Sequence, residues 1–424
     1  MRILYVCQYF PPEMGAPAAR ASELAKYWAS EGHEVTVLTA FPNHPTGQIH
    51  PAYRSKFHRM LMREKIGGVE VVRTWLLPFP NRHGYERMLN YSSFCLSASA
   101  AGICVRRPDV IIASSPQLLV GLCGLWLATW KRVPLIFEVR DLWPESLAAV
   151  GFADPKSPLN RTLSIVAGLL YERADHIVVV SPAFQDRLTR YWGVPPEKIS
   201  VIENGVETEI FSPSARDEAL RAQLGLADQF VVGYIGTIGV AHGLDMILQA
   251  ATVLQQQMPE VIFLIVGEGA ERERLETEVR SRGLANIRIV GQQPRERIPD
   301  FINACHAGLV TLRKAELFKT VIPTKMLEFM SCAKPVLLGV DGQAREILER
   351  ANAGMFFEPE SSSALISSIR RLRSTPALGG DFGNQGRQYI LKHFTRQQSA
   401  ADYLRVMEGL TPCRREELAP AGSL

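Results

Sequence analysis

The sequence predicts an α/β protein with two Rossmann-like domains, each built on a parallel sheet. Short runs rich in Val, Ile and Leu alternate with helical segments along the chain. Such near-continuous apolar runs are typical of parallel strands that helices cover on both faces. The runs form two consecutive series, and 424 residues are more than one hydrophobic core usually supports. We therefore expect two sheets that face each other across a cleft.

The predicted strands follow the apolar runs in order. In the first series they lie at 2–10, 34–40, 69–75, 109–115, 135–141, 176–182 and 199–205. In the second series they lie at 230–236, 261–269, 287–292, 307–312, 334–340 and 353–359. Gly, Pro and charged residues interrupt the pattern at 201–218 and predict a boundary between domains 1–205 and 206–385. Residues 386–424 are predicted to form further helices and a tail that pack back on the first domain.

Composition and charge narrow the class of protein. With 46% hydrophobic and 21% charged residues, the chain has an ordinary globular composition. A net charge of +4 is too small to favour a nucleic-acid binder. The seven cysteines are scattered without a C-x-x-C pair, which favours a reducing cytosol. The longest apolar stretches, 94–105 and 118–130, are shorter than the roughly 20 residues that span a bilayer. The N-terminus is typical of a core strand rather than a signal peptide.

Glycines follow several predicted strands, at the edge where open α/β sheets bind ligands. Gly15 precedes the first helix, and a glycine loop at a helix N-terminus suits a phosphate. An ordinary turn explains a single glycine equally well. In the second domain, however, Gly236, Gly267 and Gly291 end three strands. This set indicates a nucleotide cradle.

The stretch "PTKMLEFMSCAKPVL" combines a helix start with two charged side chains close to that start, Lys325 and Glu328. A helix that begins near Thr324 offers free backbone N–H groups, and Lys325 adds a positive charge. A cation opposes the helix dipole at this end, and such a local conflict is typical of a functional anion site. One turn later Glu328 stands between two apolar residues. It either accepts hydrogen bonds from a ribose diol or belongs to a solvated helix face.

A first-domain strand ends in "FEVRDLWPES". Arg140, Asp141 and Glu145 close this strand and are candidates for a catalytic role in the cleft. A salt bridge or a helix cap is the alternative for each. The sequence contains no D-x-D pair and no His, Asp or Glu cluster with metal-ligand spacing, so we expect no bound metal and no cofactor. It also lacks a G-x-S-x-G elbow and a Walker loop, which argues against hydrolases and P-loop proteins.

Basic and apolar residues are interleaved at 53–68 in the first domain. This pattern fits a surface helix on an anionic bilayer. A second segment, 81–105, follows soon after. The alternative is a solvated basic face for one segment and a core helix for the other. With membrane contact, the protein would be peripheral at the cytoplasmic face.

The chain resembles the retaining glycosyltransferases of family 4, which have the two-domain GT-B fold. The resemblance covers nearly the whole chain. Its motifs are "YFPPEMGAPAARASELAKYWASEGHEVTVLT", "ENGVETEIFSP", "YIGTIGVAHGLD", "LIVGEGAERERLE" and "IPTKMLEFMSCAKPVL". With "RDLWPES" added, the set is similar to a bacterial subgroup that builds surface polysaccharides and includes N-acetyl-L-fucosamine transferases.

The resemblance implies a role for Glu328. It matches the second Glu of the family's E-x7-E motif, which holds the donor ribose. The first Glu of that motif is replaced by Thr320, and Glu316 is near but out of register.

The family often places Arg and Lys on the donor diphosphate, in the loop that matches "GTIGVAHGLD". Here Thr237 and His242 take those positions. The resemblance then leaves the charge to Lys325, with Arg313 or Lys319.

The family's active-site His, which precedes an acidic residue, corresponds to Arg140 before Asp141. The resemblance implies a UDP-sugar bound to the second domain. It also implies a polyprenyl-diphosphate-linked saccharide acceptor on the first domain and a leaving diphosphate that needs no metal. Asp141 would orient either the acceptor hydroxyl or the sugar.

Two other functions fit the predicted fold. A non-hydrolysing UDP-sugar 2-epimerase shares the two-domain architecture but needs only the donor. A catalytically silent nucleotide-sugar-binding protein would explain Thr320 and Arg140. Release of UDP with and without an acceptor separates these possibilities from a transferase.

Overall fold

The computed structural model describes residues 1–13, 15–44, 46–79, 84–145, 157–215, 217–226 and 228–411. The first domain contains an eight-stranded sheet of order β3-β4-β2-β1-β5-β6-β7-β8. Neighbouring strands are parallel, except that β3 runs antiparallel to β4. The strands are β1 (Arg2–Cys7), β2 (Glu34–Ala40), β3 (Leu61–Ile66), β4 (Val69–Thr74), β5 (Val110–Ser114), β6 (Leu135–Val139), β7 (His176–Val179) and β8 (Ile199–Val201).

The second domain contains a six-stranded parallel sheet of order β11-β10-β9-β12-β13-β14. Its strands are β9 (Phe230–Ile235), β10 (Val261–Val266), β11 (Ile287–Val290), β12 (Ala307–Thr311), β13 (Val336–Gly339) and β14 (Gly354–Phe356). The prediction of two parallel α/β domains is confirmed.

Helices connect the strands of both sheets. In the first domain they are α1 (Ala16–Ser30), α2 (Gly84–Ile103), α3 (Leu119–Lys131), α4 (Pro158–Arg173) and α5 (Pro182–Trp192). In the second domain they are α6 (Glu218–Gln223), α7 (Asp245–Gln257), α8 (Arg272–Ser281), α9 (Ile298–Ala304), α10 (Thr324–Ser331), α11 (Gln343–Ala351), α12 (Ser362–Ser374) and α13 (Pro376–His393). The last described helix is α14 (Arg396–Leu410).

Both faces of each sheet are buried. In β1, Leu4 and Val6 contribute to one apolar core, while Ile3 and Tyr5 contribute to another on the opposite face. Successive strand residues point to opposite faces, so a sheet covered on both sides needs apolar residues at every position. This is why each predicted apolar run contains an observed strand.

The segment 53–68 does not form the predicted surface helix. A 3₁₀ helix (Pro51–Arg59) leads into the edge strand β3. Phe57 packs edge-on against Phe41 and stacks on Trp75, so its apolar side points inward. The basic residues of the segment are exposed, as are Met60 and Leu61.

The chain crosses back to the first domain at its C-terminal end. Residues up to His393 belong to α13, which packs on the second domain; a Cβ at Gly383 would lie 2.1 Å from the carbonyl oxygen of Ala333. The segment 386–393 therefore does not lie on the first domain as predicted. Helix α14 does, because Trp28 Nε1 donates a hydrogen bond to the carbonyl of Ala400 over 3.1 Å. The predicted tail, 412–424, lies outside the described residues.

The two domains also meet near the ends of their strands. Ser181, just after β7, donates a hydrogen bond from its hydroxyl to the carbonyl of Thr320 over 2.9 Å. This contact lies shortly before the start of α10. No helix in the described part of the chain combines the length and the apolar character needed to cross a bilayer.

Candidate active site

The strand ends of the second domain pack backbone against backbone. Gly236 has φ 145°, Gly267 has φ 151°, and a Cβ at Gly267 would lie 2.0 Å from the carbonyl oxygen of Gly236. Glycine adopts such positive φ values readily, and only glycine allows this close approach. The two loops therefore form a smooth backbone floor at the carboxyl edge of β9 and β10.

Lys325 lies over this floor from the first turn of α10. Its Nζ donates a hydrogen bond to the hydroxyl of Tyr234 over 2.8 Å. A Cβ at Gly236 would lie 3.1 Å from the same nitrogen. Burial lowers the pKa of Lys325 to about 7, although the carboxylate of Glu328 acts in the opposite direction. An amine with this pKa is only partly protonated at neutral pH, and an anionic ligand beside it would favour the charged form.

His242 completes the inner wall of this pocket. Its ring lies edge-on to Tyr234, 6.0 Å between centroids. Burial and the nearby charge of Lys325 lower the pKa of His242 well below its usual value, so the ring is neutral. Nδ1 of His242 is buried without a hydrogen-bond partner. The carbonyl of Thr237 accepts a hydrogen bond from Tyr234 over 2.5 Å.

Arg313 lies beside the same loop, but Lys319 and Thr320 turn away from it. The backbone N–H of Arg313 donates to Ala241 over 2.8 Å. The Lys319 ammonium pairs with Glu316 over 2.7 Å at the surface. Thr320 donates its hydroxyl to Leu317, within its own 3₁₀ turn.

Gly291 belongs to a neighbouring group. A Cβ there would lie 3.0 Å from Nη1 of Arg272, which pairs with Glu268 and Glu276. Of the three strand-end glycines predicted to form the cradle, Gly236 and Gly267 contact each other, whereas Gly291 contacts Arg272.

Glu328 is buried, and the alternative of a solvated helix face is wrong. The residue is 8% exposed. Its Oε1 accepts a hydrogen bond from Nη1 of Arg295 over 3.0 Å. Burial raises the pKa of Glu328, and Arg295 counteracts this increase. Arg295 also pairs with Glu23 of α1 over 2.8 Å, and Glu23 pairs with Arg396 at the start of α14. Glu328 thus stands at a junction between the domains.

The strand-end residues of the first domain separate into different roles. Arg140 donates to the carbonyls of Ala16 and Pro17 over 3.2 and 3.4 Å, next to Gly15. Its backbone N–H is held by the hydroxyl of Ser115. The pKa of Arg140 is lowered, chiefly by burial. Arg140 therefore secures the loop at the start of α1.

Asp141 and Glu145 point to different neighbours. Oδ2 of Asp141 accepts a hydrogen bond from Trp143 Nε1 over 3.2 Å, and the residue is partly exposed. Glu145 faces Arg187 of α5 over 3.8 Å, as in the salt-bridge alternative. Of the three predicted catalytic residues, Asp141 is the one near a polar and aromatic group of the first domain.

That group was not predicted from the sequence; we call it the polar cluster (Gln8, Asn43, His44, Asn90, Tyr91). Gln8 donates to Asn90 over 2.5 Å, and Asn90 donates to Asn43 over 3.2 Å. Tyr91 packs against Trp143. His44 is exposed at the edge of the polar cluster. Gln8, Asn43 and His44 follow strands, so the strand-end rule could have found them; Asn90 and Tyr91 lie within a helix and carry no such signal.

A glutamate beside the polar cluster was also missed. Glu13 accepts hydrogen bonds from the backbone N–H groups of Asn43 and His44 over 2.8 and 2.9 Å. Burial raises the pKa of Glu13 to about 7, against the effect of these hydrogen bonds. The carboxyl group fixes the loop after β2.

A buried ion pair supports the first domain and its connection to the second. Arg20 pairs with Glu138 over 2.8 Å, and their side chains are 1% and 0% exposed. Arg20 also donates to the carbonyls of Ile202 and Glu203 and to Oδ1 of Asn204. These acceptors lie in the segment that leaves the first sheet. Within the described residues, no group of three or more His, Cys, Asp or Glu side chains is placed to hold a metal ion.

Two family models match consecutive parts of the chain. A model described as a glycosyl transferase 4-like domain matches residues 15–205. A second model, glycosyl transferases group 1, matches residues 216–389. The chain carries glycosyltransferase domains of the family 4 type. The matched ranges meet at the segment that connects the two sheets.

Individual relatives agree with these domains. WcaI of Escherichia coli K12, a glycosyl transferase named for colanic acid biosynthesis, is 26% identical over 391 residues, covering 89% of this chain and 93% of its own. Sucrose-phosphate synthase of Thermosynechococcus elongatus superimposes with a TM-score of 0.76 at 21% identity, over 96% of this chain and 98% of that one. HepE of Anabaena, solved with UDP-glucose, gives a TM-score of 0.71 at 18% identity, over 97% and 100%. These structures show that the glycosyltransferase domains adopt the GT-B fold.

Proposed function

We propose that the protein is a retaining glycosyltransferase that moves a sugar from a UDP-sugar to a polyprenyl-diphosphate-linked saccharide. The sugar would be an N-acetylated deoxyhexosamine such as N-acetyl-L-fucosamine. The reaction would serve bacterial surface-polysaccharide biosynthesis, of O-antigen or capsule, at the cytoplasmic face of the membrane. The colanic acid relative supports the pathway class, and the UDP-glucose complex of HepE supports the donor class.

One observation carries the donor assignment: a partly buried lysine amine and a buried carboxylate lie one turn apart on the same helix. Lys325 and Glu328 are three residues apart on α10, so both side chains lie on one face. A nucleoside diphosphate presents its anionic phosphates and its ribose diol at a similar separation. Lys325 and the free N–H groups at Thr324 suit the phosphates, and Glu328 suits the diol.

The pocket has the groups that a departing UDP needs. The positive charge of Lys325 and the backbone floor at Gly236 and Gly267 would stabilise the charge that develops on the diphosphate. Neutral His242 lies beside Lys325 in the same pocket. Protein groups would then neutralise the negative charge of the leaving diphosphate. We propose that no metal ion is required.

The acceptor would meet the first domain beside the polar cluster, at the exposed His44; the other four members of the cluster are buried. Amide side chains and aromatic rings are the usual partners of a saccharide. Asp141 lies near this cluster, because it accepts a hydrogen bond from Trp143, which packs against Tyr91. We assign Asp141 the role of orienting a hydroxyl group of the acceptor or of the donor sugar.

The donor assignment predicts selective stabilisation by UDP. A ligand that binds only the native state adds about 2.7 kcal/mol of stability at a hundred times its dissociation constant. We expect UDP to raise the melting temperature, GDP and ADP to raise it less, and EDTA to leave the effect unchanged. Thermal-shift measurements with each nucleotide test this. A response to no nucleotide would contradict the proposal, and loss of the UDP effect with EDTA would overturn the metal-independent binding.

Turnover then separates the transferase from its alternatives. Release of UDP from a UDP-sugar should depend on a lipid-linked saccharide acceptor. Conversion of the donor to an epimer without acceptor would indicate a 2-epimerase. Binding of UDP without any reaction across a panel of donors and acceptors would indicate a silent binding protein.

Replacement of Asp141 by asparagine is expected to affect turnover rather than donor binding. A carboxylate that orients a reacting hydroxyl contributes on the order of 10²-fold or more to the rate. UDP affinity should stay unchanged, because the proposed nucleotide contacts lie in the second domain. Steady-state kinetics and calorimetric titration with UDP provide the two readouts.

Glu145→Gln serves as the matched control for this prediction. It removes a carboxylate from the same loop, but that carboxylate faces Arg187. We expect nearly normal turnover. Normal turnover of Asp141→Asn, or an equal loss in both variants, would remove Asp141 from the site.

A further inference from the structure

Three neighbouring helices of the first domain present an apolar outer surface. Helix α2 packs beside α3, and α3 packs beside α4. Eight exposed leucine, isoleucine and tryptophan side chains on these helices form what we call the apolar face: Leu89, Leu96, Ile103, Trp126, Trp130, Leu159, Ile165 and Leu169. Leu96 is 73% exposed and Ile165 is 68% exposed, so most of each side chain is accessible to solvent.

Helix α3, and α2 beyond its first turn, depart in sequence from ordinary surface helices, whereas α4 carries the exposed Arg161. No charged residue occurs in 88–105 or in 119–130. A helix that packs on a sheet normally carries charged residues on its outer side. Instead, Trp126 and Trp130 are 48% and 59% exposed and stack on each other at 6.0 Å. A contiguous exposed apolar patch of this kind marks an interaction site.

Cations collect at one end of the apolar face. We call them the basic cluster: Arg106, Arg107, Lys131, Arg132 and Arg173. Lys131 Nζ donates to the carbonyl of Ile103, and Arg107 donates to the carbonyl of Arg132, each over 3.0 Å. Arg132 and Arg173 line the same surface groove. The C-terminal ends of the three helices therefore carry neighbouring positive charges.

Acidic residues nearby offset only part of this charge. Glu34 pairs with Arg106 over 3.6 Å. Asp175 accepts a hydrogen bond from the backbone of Leu135, and Glu172 is exposed at the end of α4. Five cations against three carboxylates leave a positive excess.

We propose that the apolar face docks the protein on the surface of an anionic lipid bilayer. The apolar side chains would enter the boundary between headgroups and acyl chains, and the basic cluster would contact anionic headgroups. The two tryptophans suit this boundary, because their rings are apolar and their indole N–H groups are polar. The proposal assigns membrane contact to α2, α3 and α4 rather than to the segment 53–68.

Charge complementarity favours a bilayer over a second copy of the chain. In a two-fold dimer the same patch faces itself, and its helices carry no acidic residue at 88–105, 119–130 or 158–171 that could pair with the basic cluster. An anionic bilayer supplies the missing negative charge and tolerates a broad apolar surface without shape complementarity.

The apolar face also has a suitable position for the proposed reaction. Helix α2 carries Asn90 and Tyr91 on its inner side, in the polar cluster, and Leu89 and Leu96 on its outer side. The saccharide of a lipid-linked acceptor would reach the polar cluster while its lipid stays in the bilayer. This last step rests on the proposed function; the docking itself does not.

Vesicle binding of the full chain tests the docking surface without any substrate. We expect binding to vesicles of phosphatidylglycerol and phosphatidylcholine, weaker binding to phosphatidylcholine alone, and a decrease at high salt. The double variant Trp126→Ser, Trp130→Ser should reduce binding to the mixed vesicles at least tenfold. The double variant Arg132→Gln, Arg173→Gln should reduce the preference for anionic lipid. Co-sedimentation measures both effects.

The matched control is Val253→Ser, Leu391→Ser, which removes two exposed apolar side chains of the second domain. It should bind vesicles normally. UDP-induced thermal stabilisation in all variants shows that the second domain is intact, and circular dichroism shows that each variant is folded. Unchanged vesicle binding of the tryptophan variant would overturn the proposal. So would a stable dimer that the tryptophan substitutions dissociate, with no binding to vesicles.

Discussion

Replacement of Glu328 by glutamine is expected to lower the affinity for UDP by about tenfold to a hundredfold. A hydrogen bond to a charged group contributes about 1.5–3 kcal/mol, and the carboxylate would accept two from the ribose diol. The amide of glutamine keeps the volume of the side chain but replaces one acceptor with a donor. Calorimetric titration of UDP measures the change directly.

A purely structural role of Glu328 predicts a different pattern. Glu328 accepts a hydrogen bond from Arg295, so its loss affects the folded state as well. Arg295 keeps its ion pair with Glu23, however, and is not left as an unpaired buried charge. We therefore expect a small decrease in the melting temperature without ligand. A large decrease with unchanged UDP affinity would assign Glu328 to the junction between the domains and not to the donor.

The control for this experiment is Glu349→Gln. Glu349 lies on α11, is exposed and pairs with Arg345. The substitution makes the same chemical change as Glu328→Gln, but Glu349 is not part of the proposed donor pocket. Both UDP affinity and melting temperature should remain at the wild-type values.

The fold could be predicted because a parallel strand that is buried on both faces produces a local run of apolar residues in the sequence. Every position of β10, from Val261 to Val266, is buried and apolar. Strand β3 was missed because it has the opposite character. It lies at the sheet edge, and only Met62 of its six residues is buried. Its charges, such as Arg63 and Lys65, are typical of edge strands, which avoid pairing with other chains. In sequence they are indistinguishable from the basic face of a helix.

The candidate site was predictable where its signal is local. Lys325 and Glu328 were singled out from a helix start and a single carboxylate between apolar residues, and their role in donor binding stays a prediction. Their partners were not found, since Arg295 lies 33 residues from Glu328 and 272 from Glu23. Arg20 and Glu138 are 118 residues apart. A charged residue within an apolar strand or helix has no visible partner until the fold brings the two together.

Substitution of Arg20 by methionine is expected to cause the largest loss of stability. Removing one member of a buried ion pair typically costs about 3–5 kcal/mol, because the other charge is left in a poorly solvating interior. Glu138 would keep hydrogen bonds from Tyr5 and Ser114 but lose its direct ionic partner. For a domain of this size the melting temperature should fall by on the order of 10 °C.

The dependence on pH identifies the cause of that loss. In the wild type, the pKa of Glu138 is lowered from 4.5 to about 2; burial itself raises it, and Arg20 and Arg140 outweigh that effect. The pair therefore stabilises the fold fully above pH 4.5, and this contribution is lost as the pH falls through 2. Without Arg20, burial opposes ionisation of Glu138. The stability difference between variant and wild type should then be largest near neutral pH and decrease in acid.

A second substitution separates charge from packing. In Arg20→Met, Glu138→Gln the interior holds no unpaired carboxylate, so part of the lost stability should return and the pH dependence should weaken. If the double variant is as unstable as Arg20→Met at every pH, the loss comes from packing and from the hydrogen bonds of Arg20 to Ile202 and Glu203. Those bonds hold the segment that leads to the second domain. In that case Arg20 would serve mainly to fix the connection between the domains, and the UDP response of the second domain should survive the substitution.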